Sequence, residues 1–177
     1  MLRAQLEHLI RASGAITGAE EFVIVGSQAI LGQFPEAPAD LLASLEADIF
    51  TLRSPSDADL IDGSIGEGSP FHQTFGYYAH GVAIETAALP DGWKDRLVPV
   101  RNSNTGGGTG LCVEVHDLAT SKLVAGREKD VEFLRRLFNH RLASVETVRD
   151  RLDITPLDDE TRSLCLQRLE RLTPERG

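Results

Sequence analysis

Glu46 and Asp48 stand one residue apart inside the apolar stretch Leu45-Glu46-Ala47-Asp48-Ile49-Phe50. In a strand, residues two apart share a face, so both carboxylates project together. Like charges side by side repel unless a positive group sits between them, and hard divalent cations take oxygen ligands. Upstream, the apolar run Glu21-Phe22-Val23-Ile24-Val25 ends at Gly26-Ser27. The backbone N–H groups of such a turn can receive a phosphate. The acidic stretch therefore reads in two ways: a metal and phosphate site, or the solvent face of an edge strand.

Charge narrows the partners. The chain has 27 acidic and 18 basic residues, for a net charge of -9. A protein whose whole surface grips nucleic acid is normally basic, which leaves only a local basic patch between Lys122 and Arg141. With 41% hydrophobic and 25% charged residues, the composition is that of a soluble globular protein. No apolar run approaches the ~20 residues that cross a bilayer, and the N-terminus lacks a secretory signal, so the expected setting is cytoplasmic. Cys112 and Cys165 match no metal spacing and read as buried, reduced residues.

Periodicity divides the 177 residues into an α/β part, 1–116, and a helical part, 117–177. A helix is expected over 2–13, closed by Ser13-Gly14, and then a strand over 21–25. Ser27 is expected to cap a helix through Leu31, which Phe34-Pro35-Glu36-Ala37-Pro38 breaks. A helical turn at 39–43, the acidic strand at 45–52 and a helix at 56–62 follow. The aromatic stretch 71–78 fits helix or strand, and Gly81–Ala87 reads as strand. Leu97–Val100 and Leu111–Val115 form a hairpin around the glycine-rich loop 105–110, which lacks the Gly-Lys-Ser/Thr ending of a phosphate loop. From Asp117, read as an N-cap, four helices are expected: to Ala125, over 129–139, after Ser144 and after Pro156.

Three segments taken in order carry a resemblance: Val23-Ile24-Val25-Gly26-Ser27-Gln28-Ala29, then Glu46-Ala47-Asp48-Ile49, then Asp117 through Asp130 with Lys122, Arg127 and Lys129. Over roughly residues 20–140 the chain resembles the minimal nucleotidyltransferase-fold proteins, especially those that look like AbiEii-type toxins. The resemblance implies a nucleotidyltransferase-like mixed sheet flanked by helices, with a helical C-terminal region. It implies that Gly26 and Ser27 hold phosphates of a nucleoside triphosphate, and that Glu46 and Asp48 bind Mg²⁺. Glu85 is the candidate third carboxylate, as metal ligand and proton acceptor. Lys122 and Asp130 match the family's downstream lysine and acid, with Arg127 and Lys129 beside the phosphates. If the helix runs unbroken through Gly126, Lys122 and Lys129 return to nearly one face.

The activity implied is Mg²⁺-dependent transfer of a nucleotidyl group to an RNA or protein acceptor, with a toxin–antitoxin role. The alternative is an inactive member of the fold that engages a partner protein. One departure keeps that alternative in play: the first metal acid, usually aspartate, is Glu46 here, and Mg²⁺ demands near-ideal octahedral geometry. His72, His80 and His116 show no metal spacing.

Overall fold

The apolar run after Glu21 forms the middle strand of a five-stranded mixed sheet, in a computed structural model that describes residues 1–172. Strand β1, Glu21–Val25, buries its last four residues. It lies between antiparallel β2, Glu46–Phe50, and parallel β5, Thr109–Cys112. The short strands β3, Tyr78–Gly81, and β4, Val98–Val100, form the two edges, giving the order β3-β2-β1-β5-β4. β4 and β5 are the expected antiparallel pair around the glycine-rich loop.

Helix α1, Arg3–Thr17, presents Leu6, Leu9 and Ile10 to the core at helical spacing, each without solvent exposure. Burying a side chain of this size contributes about 1.5–3 kcal/mol. The helix continues past Ser13-Gly14 because those small residues pack inward instead of turning away: Ser13 is fully buried and Gly14 lies against the Phe22 ring. Helices α2, Ser56–Ile65, and α3, Pro70–Phe75, lie between β2 and β3, and α2 packs on β3 and α1.

Two expected elements differ. Ser27–Gly32 is a 3-10 turn with Gly26 in the position before it and no side-chain cap, so Ser27 keeps its hydroxyl out of the capping role. The segment between Gly26 and Pro35 is too short for a longer helix once proline ends it. The strand expected over 81–87 is displaced: β3 ends at Gly81, where that strand was to begin, and Ile84–Thr86 is a 3-10 turn. Apolar composition alone does not secure a strand; a neighbour with free backbone groups must lie alongside.

The last third of the described chain is helical: α4, Val115–Ala125, α5, Glu128–Asn139, α6, Val145–Asp153, and α7, Asp159–Leu172. Ser144 caps α6 by accepting from the Thr147 N–H. The cap of α4 is Glu114, whose carboxylate accepts from the His116 and Asp117 N–H groups. Asp117 is therefore inside the first turn, fully buried between Arg96 and Arg151. Gly126, at φ 60, ends α4. Arg168 of α7 donates to the Leu123 and Val124 carbonyls at that end, satisfying acceptors the helix leaves open. Buried apolar residues of these helices join those of the sheet in one continuous core.

Candidate active site

The antiparallel register that pairs Val25 with Asp48 sets the end of β1 beside the second acid. Gly26 then turns the chain at φ 67, in the left-handed region that side chains disfavour. A β-carbon at Gly26 would sit 2.1 Å from the Asp48 Oδ2. Glycine is therefore required twice, for the turn and for the carboxylate's space. Ser27 begins the 3-10 turn beyond it, and both residues line the same cavity as Glu46 and Asp48.

Glu46 and Asp48 share one face of β2, as alternation requires, and both are partly buried. The parallel register of β3 sets Tyr78 opposite Glu46 and His80 opposite Asp48. The Tyr78 hydroxyl donates to the Glu46 Oε2 at 2.9 Å. The His80 Nδ1 lies 3.3 Å from the Asp48 Oδ1 and 3.5 Å from the Glu46 Oε1. One ligand atom from each of these three residues falls within 4.8 Å of the others. Burial and the neighbouring Glu46 charge push the Asp48 carboxyl up to about 6. Burial also raises Glu46, but hydrogen bonds with Asp48 and Tyr78, and the charges of His80 and Lys129, take it below the usual glutamate range.

Glu85 is not brought to this group. It sits exposed in the 3-10 turn at 84–86 and lines a different cavity with Phe50, Thr51 and Pro55. His80 occupies the neighbouring strand in its place, although its sequence spacing carried no metal signal. The clue lay in strand alternation: Tyr78 and His80 are two apart, like Glu46 and Asp48, and a parallel pairing sets them in register.

The basic side of the site comes from two helices, as expected, with Gly126 ending the first. Lys122 projects from α4, buried, and its Nζ donates to the Asp130 Oδ1 at 3.0 Å while lying 4.6 Å from the Phe133 ring centroid. Burial lowers the Lys122 ammonium and Asp130 opposes that shift. Arg127 donates from Nε to the Asp130 Oδ2 at 2.6 Å, with its side chain still 63% exposed. Asp130 is fully buried, so the Arg127–Asp130 pair is more than a surface contact. Lys129, on the first turn of α5, is exposed.

Between the two sides lies a cavity of about 410 Å³, lined by Gly26, Ser27, Glu46 and Asp48 and by Lys122, Arg127, Lys129 and Arg136. This volume falls within the ~300–1,000 Å³ of small-molecule sites. Lys122 and Arg127 both feel the Asp48 charge, so the basic and acidic walls act on one space. A second, smaller hollow of about 60 Å³ lies behind Asp48 and Lys122, walled by Leu89, Val113 and Leu118.

A glycine-serine turn set beside two acids of the adjoining strand, on a mixed sheet with helices around it, defines a domain of the nucleotidyltransferase class. The family model "Nucleotidyltransferase of unknown function (DUF6036)" matches residues 4–164, and the chain belongs to that family. Neither curated proteins nor solved structures give a significant match.

Proposed function

We propose that this protein transfers a nucleotidyl group from a nucleoside triphosphate to a hydroxyl of an RNA or protein acceptor, with a divalent cation held by Glu46 and Asp48. The observation that carries this reading is the convergence of the Gly26-Ser27 turn, both acids and the 122–130 basic segment on one cavity of about 410 Å³. Family membership supports the reaction class.

The acid pair fits a cation: Asp48 is mostly buried beside a second carboxylate and, at about 6, bears a charge its surroundings disfavour. A cation there removes that penalty, and Gly26 leaves the carboxylate its space. When bound, the metal supplies charge neutralisation for the phosphates and the departing pyrophosphate. The chain's own groups do the rest. Backbone N–H groups and the hydroxyl at Gly26-Ser27 hold a phosphate; Lys129 and the exposed part of Arg127 hold its neighbours as cations. Asp130 keeps Lys122 and Arg127 in place from behind. The acceptor hydroxyl oxygen bonds to the α-phosphorus as the bond to pyrophosphate breaks, and the hydroxyl proton is released to solvent.

Two buried, unpaired cysteines support a reducing, cytoplasmic setting. Among the described residues no helix is long and apolar enough to cross a membrane. A toxin–antitoxin role is part of this proposal. A second reading, a binding module without turnover, is favoured by the Lys122 ammonium being engaged by Asp130.

The test is incubation of the purified protein with α-labelled nucleoside triphosphates, a divalent cation and either bulk RNA or protein acceptors. Label should appear on one acceptor class and vanish in Glu46→Ala and Asp48→Ala. Nucleotide binding without label would favour the binding module. Neither binding nor label, with both variants indistinguishable from wild type, would remove the reading altogether.

A further inference from the structure

We propose that His80 is the third protein ligand of the metal centre, making it a two-carboxylate, one-imidazole site that takes a divalent transition-metal cation (Mn²⁺, Co²⁺ or Zn²⁺) in preference to Mg²⁺. The inference rests on the reading of Glu46 and Asp48 as metal ligands and specifies which metals they serve.

Three observations lead to it. The β2–β3 register places His80 directly beside Asp48 across a parallel pair, so the imidazole and both carboxylates share one face of the sheet. Its Nδ1 lies 3.3 Å from one carboxylate and 3.5 Å from the other. Donors on one cation with bonds of about 2.0–2.1 Å are about 3.0 Å apart in an octahedron and about 3.4 Å apart in a tetrahedron. The two His80 separations thus need little adjustment to close on a single ion, and the carboxylate oxygens lie within 4.8 Å of each other. Finally, the acidic residue expected to complete an all-oxygen site, Glu85, is elsewhere in the fold.

The donor set decides the preference. Mg²⁺ holds its water tightly and accepts oxygen almost exclusively, so a neutral nitrogen gives it little. Along the first-row series the same nitrogen binds increasingly well from Mn²⁺ to Cu²⁺, with Zn²⁺ close behind. Tyr78 fixes the far side of Glu46 by donating to its Oε2, which leaves Oε1 turned toward His80. β3 is an edge strand and His80 is half exposed, so the residue can be changed with little disturbance to the core.

Isothermal titration of the full chain with Co²⁺ and with Mg²⁺, without nucleotide, provides the test, together with the visible absorption bands of bound Co²⁺. Wild type should bind Co²⁺ at least about tenfold more tightly than Mg²⁺. His80→Ala should weaken Co²⁺ by at least about tenfold and alter its absorption bands, while Mg²⁺ changes less than about threefold. His80→Asp, which restores an all-oxygen set, should move the preference back toward Mg²⁺. If Co²⁺ and Mg²⁺ bind wild type equally, or His80→Ala leaves both affinities and the spectrum unchanged, His80 is not a ligand, and the acid-pair reading stands. If neither ion binds wild type and Glu46→Ala is indistinguishable from it, the acid-pair reading falls as well.

Discussion

Asp117 and Asp48 are both held against the protein interior, and their surroundings are opposite. Asp117, fully buried at the start of α4, accepts from the Arg96 guanidinium on both oxygens, at 2.9 and 3.2 Å, and forms an ion pair with Arg151, whose Nε lies 2.9 Å from its Oδ1. The two arginines come from the loop before β4 and from α6, so the acid ties three parts of the chain together. Asp48 has instead a second carboxylate, a half-exposed imidazole and a glycine. Burial raises both carboxyls, but two guanidiniums of the fold oppose that shift at Asp117, whereas at Asp48 the neighbouring Glu46 adds to it. Uncompensated charge next to an open cavity marks where a ligand contributes what the chain omits.

The comparison breaks most readily at Asp117. Asp117→Ala strands two guanidiniums in a partly buried space and should cost about 3 kcal/mol in urea denaturation. A loss below ~1 kcal/mol would mean that the arginines simply swing into water and the ring is not structural. Gly26→Ala should cost less, about 1–2 kcal/mol, because the left-handed backbone is strained and the new methyl displaces the Asp48 carboxylate. Its larger effect should be on calorimetric metal affinity; unchanged metal binding would show that the carboxylate position is not critical.

Asp48→Asn should have the smallest effect and the opposite sign. The folded-state pKa of Asp48 is about 6, above the unfolded value of 3.8, so the native state holds its proton more tightly. Its contribution to stability is complete below the unfolded value and is lost as pH rises through about 6. Without metal, the variant should therefore be more stable than wild type by about 1 kcal/mol at pH 7.5, with the gain vanishing near pH 4. Thermal melts across that range measure it. A loss of stability at pH 7.5 would mean that the Asp48 charge has a stabilising partner in the fold.

Much of the architecture was legible because it depends on local pattern. The 21–25 run, the acidic alternation at 46–48, the β4–β5 hairpin and the Ser144 cap each carry their cause within a few residues. What sequence reading missed depends on pairing at a distance. His80 comes beside the acid pair only through its register with Asp48, 32 positions earlier, which no local period encodes. Glu85 was misplaced for the complementary reason: an apolar stretch suggested a strand, but the edge of β2 was already taken by residues 78–81. For Lys122 and Lys129 the sequence left open whether one helix runs through Gly126, and Gly126 does end the first of two helices. The break nonetheless leaves Lys122 and Lys129 facing one cavity.

Arg168 of α7 bonds the carbonyls where α4 stops, next to the bend that aims Arg127 and Lys129. During synthesis the acids at 46 and 48 leave the ribosome long before that guanidinium does. The cationic wall thus acquires its buttress only when α7 has emerged and docked. The Lys122–Arg127 side of the cavity is thus held by a helix that contributes nothing to the cavity's lining.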